Sequence, residues 1–166
     1  ARLAGGLGQL RWPPTQIADT PEAARQRLFA LPGSRYADPQ LSWKYEVPPA
    51  GMGFMRGRGL GKEYEGDLFL GSAISSAPAS AVPGAKPLAG QLLGLELAGN
   101  RRALRFDDPR LSDKVADNLD KRDITESESL LFGRDFGAGV DIRTGPNGNL
   151  FVVALSHGRV YEIFRK

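Results

Sequence analysis

Two stretches of this chain repeat one pattern, in which a glycine and a polar residue lead into an apolar run, then do so again. Gly66-Asp67-Leu68-Phe69-Leu70 matches Gly148-Asn149-Leu150-Phe151-Val152, and Gly90-Gln91-Leu92-Leu93-Gly94-Leu95 echoes Gly158-Arg159-Val160-Tyr161-Glu162-Ile163. Short apolar runs bounded by turn residues read as strands, because a helix needs a longer periodic stretch. The repeat therefore commits the chain to antiparallel strands joined by turns.

The C-terminal copy, residues 141–164, is the tighter one. Gly145-Pro146-Asn147-Gly148 puts proline where a type I turn wants its fixed φ and supplies Asn and Gly for left-handed positions. Residues 150–155 follow as a buried strand, Ser156-His157-Gly158 makes a hairpin loop, and residues 159–164 return. The unit is a meander with residues 137–144 as its first strand. In the earlier copy, residues 51–55, 66–71, 91–98 and 102–106 give four strands in order. Residues 42–47 alternate and form a further strand before Pro48-Pro49.

Repeated meanders predict an all-β chain of propeller blades, four-stranded antiparallel sheets that cannot bury both faces alone and so stack on like neighbours. The glycines of residues 51–53 suit an innermost strand, where backbones crowd. The spacing between copies exceeds the roughly 40 to 50 residues of a usual blade, which places insertions with short helices between strands.

Gly 21 and Pro 12 in 166 residues fit such a turn-dense chain better than a helical bundle. The net charge of +3 comes from Lys and Arg scattered among 19 acidic residues, so no basic patch points to nucleic acid. No apolar run reaches the roughly 20 residues of a membrane span. The absence of cysteine removes disulfides, thiolate zinc sites and cysteine nucleophiles without fixing a compartment. The chain begins at Ala1 with no signal-peptide core, as a processed product or a fragment would.

Residues 1–41 read as an irregular segment in which Thr20-Pro21 starts a short helix over 22–30. Residues 72–89, rich in Ala, Ser and Pro, have the composition of a mobile loop that proteases would cut first. The charged link over 107–136 is expected to carry a helix near 111–119, and a capping box from Thr125 to Glu128.

Motifs for chemistry are few. Gly57-Arg58-Gly59-Leu60-Gly61-Lys62 has Arg56 where a phosphate loop needs its first glycine and Glu63 where it needs Ser or Thr, so it reads as a flexible basic connection. Asp113, Asp117, Asp120 and Asp123 miss the calcium-loop spacing and read as a solvated face. His157 is the one histidine, at a hairpin tip where it serves as a turn residue.

Three stretches, SWKYEVPPAGMGF, EYEGDLFLG and TESESLLFGRDFGAGVDIRTGPNGNLFVVALSHGRVYEIF, together resemble the C-terminal part of the soluble pyrroloquinoline-quinone (PQQ)-dependent glucose and sorbosone dehydrogenases. The resemblance covers residues 42–164 and implies a six-bladed propeller, of which residues 42–166 supply about one and three-quarter blades. It implies PQQ and calcium at the axis, oxidation of a sugar at its anomeric carbon, and a periplasmic or extracellular location. Its partners would be an upstream propeller segment or a second copy. The family's Arg-x-Arg-Asp run falls on Ala138-Gly139-Val140-Asp141, keeping the Asp, and its quinone-binding Lys falls near 72–74, where none stands. Cofactor binding on this pattern rests on Asp141, with Arg143 and Arg134, or Lys86, standing in as the cations that pair with quinone carboxylates. The resemblance assigns no catalytic residue here and no metal ligand, because the family's histidine lies upstream and His157 does not correspond to it. The alternative is a propeller piece without a redox site, acting in binding or assembly.

Two physical expectations complete the reading. Leu150, Phe151, Val153, Val160, Tyr161 and Ile163 should all pack, so that Phe151→Ala costs on the order of 3 to 5 kcal/mol. An incomplete set of blades should associate, with another copy or with a missing segment, to cover its open faces.

Overall fold

The computed structural model describes residues 39–73, 82–86, 90–121 and 123–166. The expected helix over 22–30 lies outside them. The described chain is built on antiparallel strands with short 3-10 turns between them, so the all-β expectation holds. One sheet has the order β2 (Pro49–Phe54), β3 (Leu68–Ser72), β4 (Leu92–Leu95), β6 (Leu131–Gly133). A second has β7 (Gly139–Thr144), β8 (Leu150–Ala154) and β9 (Arg159–Ile163) in sequence order. A two-stranded parallel pair joins β1 (Ser42–Trp43) to β5 (Val115–Ala116).

The turns form for the reasons their residues supply. Gly148 donates to the Gly145 carbonyl at 2.9 Å and takes φ 79°, closing the turn around Pro146 and Asn147. Asn147 and Asn149 both donate to the Glu162 carboxylate, at 2.8 and 2.7 Å, tying the turn to β9. Those two amides, Asn149 first, hold the Glu162 carboxyl below its ordinary value. At the next reversal Gly158 takes φ 58°, so the left-handed residue is the glycine and not His157.

The two sheets pack face to face. Phe69 and Leu92 from the first, with Met55 and Leu60 from the connection after β2, meet Ile142, Leu150 and Val152 from the second in one buried core. Phe132 packs edge-on to Phe69 with ring centroids 4.9 Å apart, and Tyr64 edge-on to Phe132 at 5.5 Å. Contact between the first strands of the two sheets is so close that side chains are excluded. A Cβ on Gly51 would lie 2.5 Å from the Val140 carbonyl carbon, and one on Gly53 or Gly71 would run into the carbonyl oxygen of Ile142 or Gly139. Thr144 stitches the seam, its hydroxyl donating to the Phe54 carbonyl and accepting from the Arg56 amide, both at 2.9 Å.

The structure corrects several boundaries. The fourth strand of the first sheet is β6, not residues 102–106, which make a single bridge from Leu104 to Leu97. The apolar Leu131 and Phe132 can bury against β4, whereas the arginines at 101, 102 and 105 cannot. Over 111–119 there is no helix. A 3-10 turn at Pro109–Leu111 ends, Lys114 adopts φ 64°, and β5 pairs with β1. Only Ser42–Trp43 of the expected strand over 42–47 is a strand, because the backbone of Tyr45 is taken by the Asn118 side chain instead. The capping box does not form, since Thr125 gives its hydroxyl to Asp123 and Glu128 is engaged by Lys86 and Arg110. Most of the expected mobile loop lies outside the described residues. Its described part is anchored, with the Ile124 amide donating to the Lys86 carbonyl at 2.9 Å.

The second sheet buries one face, not two. Cross-strand rows set Ile142, Val152 and Tyr161 on the core side and Asp141, Val153 and Val160 on the other. Val153 and Val160, expected to pack, are 36 % and 64 % exposed, and Phe151 is half-buried on the same outer face. Val152→Ala should therefore cost about 2 kcal/mol, and Val153→Ala should stay within about 0.5 kcal/mol. Urea midpoints of the two variants check this alternation, and equal losses would contradict it. By the same geometry Phe151→Ala falls short of the full core penalty.

Candidate functional site

Asp141 and Arg143 stand two residues apart on β7 and so project from the same face, the outer one. Arg143 Nε donates to the Asp141 carboxylate at 3.0 Å, an ion pair whose side chains are 78 % and 46 % exposed. Asp141 also accepts from the Ile142 amide at 3.0 Å. Arg134 lies elsewhere, exposed in the connection from β6 to β7, just before Asp135 at φ 60°. Lys86 is paired with Glu128 on the far connection.

A quinone bearing several carboxylates needs cations converging on one recess, each free to pair. Here Arg143 is spent on Asp141 on an open sheet face, Arg134 is on a separate loop, and Lys86 is spent on Glu128. Calcium needs several oxygen ligands, and among the described residues no three His, Cys, Asp or Glu side chains gather to hold a metal. Among the described residues, this arrangement does not fit PQQ or calcium.

The remaining motifs resolve into structure. The connection over 57–62 is a packed crossover, not a flexible one: the Gly59 amide donates to the Gly148 carbonyl at 3.0 Å, and the Gly59 carbonyl accepts from Arg165 at 2.7 Å. His157 is exposed, its Nδ1 2.9 Å from the Tyr161 hydroxyl, while Ser156 Oγ accepts the Ala138 amide at 2.9 Å. The acidic residues divide. Asp113 is exposed and Asp117 and Asp120 are half-buried, but Asp123 is buried and organises its surroundings.

That organisation is a polar knot. The Asp123 carboxylate accepts the amides of Lys86, Leu119 and Thr125 together with the Thr125 hydroxyl. Asn118, fully buried beside it, accepts the Tyr45 amide at 2.8 Å and donates to the carbonyls of Tyr45, Asp120 and Asp123. Next to the knot Arg110 bridges Asp108 at 2.6 Å and Glu128 at 3.3 Å. The Arg110 bond holds the Asp108 carboxyl well below the carboxylate range, and the same bond raises Arg110. Burial pushes Glu128 up, but its bonds to Lys86 and Arg110 outweigh this and leave it lowered. The Asp123 carboxylate and the Asn118 amide are both taken up by backbone partners. The knot fastens three connections to one another.

What the chain presents outward is apolar sheet. Phe151, Val153 and Val160 share the outer face of β8 and β9 with Asp141, Arg143 and Glu162, and Val140 at the β7 bulge is exposed beside them. Open blade faces are expected from the repeat, but Val153 and Val160 are expected among the packed residues, so which face lies open is not legible in the sequence. Comparisons with protein families, with curated proteins and with solved structures each found no match. Among the described residues no helix is long and apolar enough to cross a membrane.

Proposed function

We propose that this chain is an assembly segment of the propeller type, two blade-like sheets whose task is to continue a stack of like sheets. One observation carries the reading. The second sheet already docks one apolar face on another meander sheet, and its opposite face leaves Val153 and Val160 exposed, beside half-buried Phe151 and exposed Val140 at the β7 bulge. Exposed apolar area of this kind is a docking surface. Its partner is a like sheet, in the first instance one from a second copy of this chain. Glycine-mediated contact of β2 on β7 supports the stacking geometry.

Sedimentation velocity over a micromolar range tests it. Self-association is expected for the wild type, and Val153→Lys with Val160→Lys should leave a folded monomer. A wild-type chain that stays monomeric and cooperatively folded throughout would overturn the reading.

The second reading is sugar oxidation with PQQ and calcium, in a periplasmic or extracellular enzyme. It is favoured by the run from Asp141 to Val152, which keeps the motif's Asp, its Gly-Pro-Asn-Gly turn and the strand beyond. On that reading the cations for the quinone come from outside this chain. Sugar-dependent dye reduction in the presence of PQQ and calcium separates the two.

A further inference from the structure

Beyond the end of β2, an open cleft of about 490 Å³ lies against the first sheet. Phe54, Arg56, Glu65, Gly66, Leu97 and Arg101 line it. We propose that this cleft binds a small organic anion, a carboxylate carried on a flat apolar ring. Arg56 and Arg101 take the carboxylate, and Phe54 and Leu97 cover the ring.

The charges support an anion. Glu65, the acidic residue in the lining, is already paired with Arg58 at 2.9 Å. Among the described residues the guanidinium groups of Arg56 and Arg101 have neither ion pair nor hydrogen bond, so two uncompensated forks border one recess. Planar forks of this kind suit a carboxylate, which accepts two bonds from each.

Arg101 has its guanidinium over Gly66, where a Cβ would be 3.1 Å from Nη2. Its backbone sits at φ 54°, a region that L-residues enter at a cost and that glycine or asparagine would fill more easily. The turn is closed by the Arg101 amide on the Ala98 carbonyl at 2.7 Å and the Arg102 amide on Asn100 Oδ1 at 2.9 Å.

The apolar half comes from Phe54, a large aromatic side chain left 45 % exposed, facing Leu97 across the cleft. A volume near 490 Å³ lies within the usual range of about 300 to 1,000 Å³ for small-molecule sites. This inference is independent of the assembly reading, since it uses the other sheet.

Calorimetric titration with 2-naphthoate, using naphthalene-2-methanol as the same ring without charge, tests it on the full chain. Saturable binding of 2-naphthoate is expected, weakened at least tenfold in Arg56→Gln and in Arg101→Gln, because each loses a charge-assisted pair. Arg159→Gln, on β9, should leave affinity unchanged, and thermal melts should show all three variants folded. Absence of binding at millimolar naphthoate, equal binding of the alcohol, or unchanged affinity in both cleft variants would overturn the proposal.

Discussion

Asp123→Ala is expected to destabilise the chain by about 3 to 5 kcal/mol, the scale for stripping the partner from buried, charge-assisted hydrogen bonds. The carboxylate is 1 % exposed and accepts from Leu119 at 2.7 Å, Thr125 at 3.2 Å and its hydroxyl at 3.0 Å, and from the Lys86 amide. Alanine removes the acceptor that these part-buried amides and the Thr125 hydroxyl share. Asn118 keeps its bond to the Asp123 main-chain carbonyl at 2.9 Å, so the cost falls on the donors that face the carboxylate. Asp123→Asn keeps the shape and one acceptor oxygen, so it should cost visibly less. Urea denaturation of both variants measures the difference. If Asp123→Ala falls within the scatter of surface substitutions, the knot is not what fastens the connections.

Gly53→Ala should cost about 3 kcal/mol or more, by sterics alone. Overpacking of a close-packed core typically costs about 1 to 3 kcal/mol, and here the obstruction is a main-chain carbonyl that cannot swing aside. The new methyl would enter the space of the Ile142 carbonyl and crowd its Cβ at 3.2 Å. The two sheets would have to separate along the β2 and β7 seam. Gly94→Ala is the control, since its methyl would meet only side-chain atoms of Phe132 and Phe69, at 3.6 and 3.7 Å. It should stay within about 1 kcal/mol. Thermal unfolding of the pair decides whether the seam is as tight as the backbone places it. Gly53→Ala melting with the wild type would mean the sheets have slack.

Both residues lie in regions that pattern reading treats as ordinary. Asp123 belongs to a charged run with no periodicity, and a charged run is most often solvated. Its burial follows from the meeting of residues 45, 86 and 118 around it, contacts distant in sequence. Gly53 was legible as a place where backbones crowd, because a glycine within a strand has few other uses. Which backbone it meets was not.

The candidate sites divide in the same way. Asp141 and Arg143 share a strand face by the simple alternation of β-structure, so their proximity was readable. That they neutralise each other on an open face, instead of lining a recess with Arg134, depends on where β7 sits in its sheet. Arg56 and Arg101 had no motif around them, and only the hairpin over 98–103 brings Arg101 beside Gly66.

By itself the sequence determined what is local: the turn at 145–148, the glycine-led entry into β3 and β8, the antiparallel meanders and the all-β class. Turn chemistry and short apolar runs act over a few residues, so they survive without any knowledge of neighbours. Tertiary structure alone decided that β6 completes the first sheet, that β8 buries Val152 and exposes Val153, and that Asp123 lies inside. Each of those depends on which distant segment supplies the last hydrogen bonds or the covering side chains. Partners of that kind are chosen by packing and leave no period in the chain.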